Sequence, residues 1–130
     1  MAGGARGRPV RRVLAIATAA LGIAGAAHGQ GADIAKGEAA YQSRCVMCHS
    51  LDGPGQGPDL HGVVGRKAGT AADFNYSDAM TASGLTWTPD QLDKFLTDPT
   101  KIVSGSPMQA QVPDAQERRD LIAYLASLKK

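Results

Sequence analysis

Both cysteines of this 130-residue chain lie three residues apart, and a histidine follows the second: Cys45-Val46-Met47-Cys48-His49. No other feature restricts the fold as much, because two thiols and an imidazole in one short run need a common target. A dithiol redox centre wants a strand-rich, thioredoxin-like setting, and no period-2 apolar pattern occurs here. Structural zinc needs four ligands, and the chain has only two cysteines, with His61 the only histidine besides His49 after residue 29. A plain disulfide would satisfy the thiols but leave the adjacent imidazole without a task.

The remaining reading is covalent attachment of a c-type haem, for which C-x-x-C-H is the signature. If the run continues a helix, Cys45 and Cys48 share one face, each able to form a thioether with one vinyl group, and His49 projects toward the iron from the same turn. A porphyrin also supplies what the chain lacks. About 100 residues remain after the N-terminal segment, with six aromatics (Tyr41, Phe74, Tyr76, Trp87, Phe95, Tyr124), and a domain so small buries only about two-thirds of its unfolded surface.

That segment, residues 1–29, reads as a cleavable signal peptide, followed by one domain over 30–130. Arg6, Arg8, Arg11 and Arg12 form a basic start, Val13 to Ala27 is apolar or small apart from Thr18, and Ala27-His28-Gly29 ends it in small residues. A retained anchor is the alternative, but the run is shorter than the roughly 20 apolar residues that span a bilayer. Without those four arginines, 10 basic side chains face 12 acidic ones, for a net charge of −2. A near-neutral surface without a basic block argues against nucleic acid as a partner. Export also explains how a C-x-x-C need not be a disulfide, since haem is attached outside the cytoplasm to a reduced chain, and it places the protein in the periplasm.

The pattern predicts an all-α fold of three to five helices joined by long loops, without repeats. Asp33 caps a first helix in which Ile34, Gly37, Tyr41, Cys45 and Cys48 share a face. Residues 52–69 (DGPGQGPDLHGVVGRKAG) are loop. Ser77 caps a short helix ending before Gly84, and Thr88-Pro89-Asp90-Gln91 starts another that stops before Pro99. After a second loop, 101–113, Asp114 caps a last helix with Leu121, Ile122, Leu125 and Leu128 in a stripe, Tyr124 alongside, and Arg118, Arg119 and Asp120 beginning its solvent side.

A second axial ligand must come from elsewhere. Met47 lies inside the motif, Met80 sits beside a short helix and is expected to pack, and His61 is a loop residue expected to make a local hydrogen bond. Met108, in Ser104-Gly105-Ser106-Pro107-Met108 and 59 residues after His49, is the expected ligand. Histidine and methionine together leave no open coordination position, a site that moves electrons and does not bind substrate.

Beyond the pentad, GPDLHGVVGRKAG (57–69), FNYSDA (74–79), GLTW (84–87), FLTDPTK (95–101), the methionine loop and ERRDLIAYLASLK (117–129) resemble class I cytochromes c of the mitochondrial and bacterial cytochrome c₂ kind, from Asp33 to Lys129. The resemblance implies the small cytochrome c fold around one covalently bound haem c, with iron held by His49 and Met108. It implies that the Pro58 carbonyl accepts a hydrogen bond from His49, that Arg66, Tyr76, Trp87 and Ser106 bind the propionates, and that Gly37 and Tyr41 pack on the last helix against Leu121 and Tyr124. The implied function is a soluble one-electron carrier, not an enzyme, docking transiently as a monomer with membrane redox complexes or periplasmic oxidoreductases. Alternatives are a sensor or peroxidase-like protein with a labile methionine, or a dedicated redox subunit.

Several residues depart from that family's pattern. Phe95 replaces a common tyrosine that bonds toward the methionine, Met80 a common asparagine, and Ser106-Pro107 a threonine-lysine pair. Only Arg44 and Lys101 remain of the basic ring around the haem edge, so electrostatic steering is expected to be weak.

Overall fold

The computed structural model describes residues 1–4, 7, 31–53 and 55–129. The expected leader, residues 1–29, therefore lies almost wholly outside the described residues.

Among the described residues five helices follow in order: α1 Ile34–Arg44, α2 Asp78–Ala82, α3 Pro89–Thr97, α4 Pro99–Ile102 and α5 Ala115–Ser127. Each begins where a short polar side chain takes up an otherwise orphaned backbone N–H: Asp33 from Lys36, Ser77 from Met80, Thr88 from Gln91, Asp98 from Lys101 and Asp114 from Glu117. The sequence reading did not include α4. Asp98 closes α3 in an extended conformation, as expected before a proline, and then caps the next turn, with Pro99 at its first position. Among the described residues the only β pairing is one antiparallel bridge, Lys67 to Thr86.

Packing centres on the crossing of α1 and α5. A β-carbon on Gly37 would lie 2.0 Å from the Asp120 carbonyl oxygen and 2.8 Å from Tyr124 Cβ, so only glycine allows this approach. Tyr41 is fully buried there, its ring centroid 5.5 Å from that of Tyr124, with Leu121 equally buried. The two helices are also tied electrostatically: Asp33 N–H donates to Asp120 Oδ1 at 2.8 Å, and Arg44 grips Glu117 through two bonds of 2.7 and 3.1 Å. The rest of the core joins Leu92, Phe95 and Leu96 of α3 with Met80, Trp87, Val103, Val112, Ile122 and Leu125.

The expected solvent side of α5 is corrected. Arg119 is exposed, but Arg118 and Asp120 are buried. Each is enclosed because it has a partner: Asp120 receives the α1 backbone N–H and Gln116 Nε2, and Arg118 bonds Asp93 of α3 and two loop carbonyls.

Candidate haem-binding site

The pentad does not continue α1 as a regular helix. Val46 N–H reaches back to the Tyr41 carbonyl, which already receives Cys45 N–H, so the helix widens and ends at Arg44. Within the pentad the Cys45 carbonyl accepts from both Cys48 N–H at 3.0 Å and His49 N–H at 2.8 Å, a single tight turn. Cys45 is half-buried and Cys48 exposed. Both are free. Burial pushes the Cys45 thiol up to about 11. Met47 is 88% exposed.

His49 is held from several sides. Its Nδ1 lies 2.9 Å from the Pro58 carbonyl, its own carbonyl accepts from the Tyr41 hydroxyl, and Gly57 leaves room for the ring. Gly57 N–H in turn donates to the Cys48 carbonyl at 2.8 Å, so the glycine-rich loop folds back beneath the turn. A carbonyl can only accept, so Nδ1 carries the proton and Nε2 keeps its lone pair. Burial, which favours the neutral form, holds the imidazole below its usual range, against the opposing pull of the Pro58 carbonyl, which favours the protonated one. Burial, then the neighbouring Cys45, pushes Tyr41 up to about 12, so its hydroxyl stays a donor.

Arg66 and Trp87 are brought together by backbone pairing: Trp87 N–H donates to the Arg66 carbonyl at 2.9 Å, and Gly65 N–H to the Trp87 carbonyl at 2.8 Å. The guanidinium of Arg66 donates from Nη1 to the His61 carbonyl and from Nη2 to the Asp59 carbonyl, at 3.1 and 3.0 Å. Its Nε is buried with no hydrogen-bond partner among the described residues. Trp87 is buried against Phe95, ring centroids 4.8 Å apart. Tyr76 accepts from Ala71 N–H at 3.3 Å and meets Phe74 edge-on.

Ser106 is buried, and its Oγ accepts from Met108 N–H at 3.2 Å, fixing the local backbone of the half-buried Met108. Met80 packs in the core on α2. His61 makes the local bond expected of it, Nδ1 to Asp59 Oδ1 at 2.7 Å.

Residues 34–129 match the family described as Cytochrome c. The chain belongs to the cytochrome c family. It is 44% identical to cytochrome c2 of Rhodopila globiformis over 100 residues, covering 75% of this chain and 94% of that protein. Cytochrome c2 of Rhodomicrobium vannielii is 42% identical over 118 residues, 88% of this chain and 93% of that one. The solved cytochrome cH from Methylobacterium extorquens superimposes with a TM-score of 0.70 at 43% identity, over 73% of this chain and 98% of that one. The all-α architecture is thus the small cytochrome c fold, and this cytochrome c carries one covalently bound haem c and transfers electrons.

The residues present fit that group. Two unpaired thiols flank a turn ending in an imidazole with a free lone pair, and the buried Arg66 Nε–H has no acceptor among the described residues, a donor that a haem propionate would satisfy. Sequence reasoning missed Gly57 and the Asp59 and His61 carbonyls as parts of the site. The glycine before Pro58 was a legible signal, whereas main-chain carbonyls carry none.

Proposed function

We propose that this cytochrome c is an exported, monomeric one-electron shuttle of the periplasm, released from a leader over residues 1–29, with a domain over 30–130 that docks transiently with membrane redox complexes or periplasmic oxidoreductases. Haem c, once attached, supplies an iron that accepts and returns a single electron. Cys45 and Cys48 would tether it through thioethers, and His49 Nε2 and the Met108 thioether would hold the iron.

The carrying observation is the hold on His49: a tautomer set by Pro58 at 2.9 Å, a ring position set by Gly57, and a carbonyl tied to Tyr41. An imidazole so fixed needs little rearrangement when charge changes nearby. Arg66, Tyr76, Trp87 and Ser106 would hold the propionates, Arg66 through the Nε–H that has no acceptor among the described residues. Histidine and methionine ligation by His49 and Met108 would leave no position on the iron for a substrate, which supports a carrier over an enzyme. Among the described residues no helix is long and apolar enough to cross a membrane.

The test is spectroscopic. The oxidised protein should show the weak far-red band of methionine-ligated ferric haem, titrate as a one-electron couple, and bind carbon monoxide poorly when reduced. Rapid carbon monoxide uptake would instead favour a sensor.

A further inference from the structure

Arg118 is a buried charge that electron transfer does not use. Its Nε–H donates to Asp93 Oδ1 on α3 at 2.7 Å, and its Nη1 donates to the carbonyls of Val112 and Pro113 at 2.8 Å each. Those carbonyls end the loop that carries Met108, just before Asp114 caps α5. Val112 is itself buried and donates its N–H to the Leu96 carbonyl at 2.8 Å, while Gln111 bonds the Asp98 carboxylate. The near end of the loop is anchored separately, by Val103 N–H to the Pro99 carbonyl and Ser106 N–H to the Val103 carbonyl, both at 2.9 Å. Met108 stands between these two anchors.

We propose that Asp93 and Arg118 form a clamp that positions Met108, setting how long its sulfur stays on the iron; this rests on Met108 being the axial ligand. A loop of this length reaches one point reproducibly only if both ends are fixed. The guanidinium suits the far end because its planar fork addresses a carboxylate and two carbonyls at once. Asp93 supplies the negative charge that lets a cation sit buried there. Releasing the clamp frees the segment from Met108 toward Asp114, and the sulfur leaves more often. The haem-loaded protein would still fold around α1, α3 and α5, because Leu92, Phe95 and Leu96 keep α3 in the core.

The test uses haem-loaded D93N, D93A and R118K, with G37A as a variant destabilised at the α1–α5 crossing and M108A as the ligand reference. Carbon monoxide uptake by the ferrous form and the far-red band of the ferric form are measured beside global unfolding. The clamp predicts uptake at least about tenfold faster in R118K and D93A, a smaller rise in D93N, which keeps a hydrogen-bond acceptor, and loss of the band at a lower temperature than global unfolding. Wild-type uptake and band in R118K and D93A, with only the unfolding midpoint lowered, would overturn it. So would an equal rise in G37A, which would make the effect one of general stability. Survival of the band in M108A would instead remove the ligand assignment.

Discussion

Gly57 lies so close to His49 that a β-carbon at position 57 would be 2.4 Å from the imidazole Cε1 and 2.6 Å from Nδ1. Since Nδ1 is pinned to Pro58, the ring cannot swing aside without breaking that bond. Gly57→Ala is therefore expected to destabilise the haem-loaded protein by roughly 1–3 kcal/mol, the range for overpacking. Denaturant midpoints with the Soret and far-red bands would show the loss together with altered axial ligation.

Gly37→Ala acts on the other close approach. A β-carbon 2.0 Å from the Asp120 carbonyl must push α1 and α5 apart. A loss of about 1–3 kcal/mol in chemical denaturation is expected, while the haem spectrum of the fraction that stays folded remains unchanged.

Asp120 gives a pH dependence of defined sign. The Asp33 N–H, then Gln116, hold its carboxylate below the ordinary range. A folded value below the unfolded one contributes stability above about pH 4 that is lost as pH falls through the folded value. Asp120→Asn should thus be less stable than wild type at neutral pH and should approach it in acid, as unfolding midpoints across the pH range would show.

Partner association should depend little on salt. Arg44, one of two cations expected at the haem edge, is already bound by Glu117. Beside it Val46 and Met47 are 39% and 88% exposed, and residues 103–113 carry no charged side chain. Stopped-flow rates with a reactive protein donor should change less than about tenfold between roughly 0.05 and 0.5 M salt, whereas steered pairs fall steeply.

Local signals in the sequence were read well and distant ones were not. Asp33, Ser77, Thr88 and Asp114 cap helices where their spacing said they would, and Gly37 and Tyr41 meet α5 as the family resemblance implied. The four-residue α4 repeats in Asp98-Pro99 the cap-then-proline signal of Thr88-Pro89, so its start is legible in the sequence although its length is too short for any periodicity to show. Arg118 and Asp120 appeared solvent-facing because their partners, Asp93 and Asp33, lie 25 and 87 residues away. Burial of a charge is set by such long-range pairing, which no local pattern encodes. The widened turn after Arg44 escaped detection for a related reason: it depends on main-chain bonds to Tyr41 and on the loop folding back from Gly57.

Intact mass of the purified, exported protein tests the central claim most directly. The account predicts one species, lacking about the first 29 residues and heavier than the remaining chain by a single haem, surviving denaturation because two sulfur bridges hold it. A mass equal to the bare polypeptide, with Cys45 and Cys48 free or joined to each other, would contradict it.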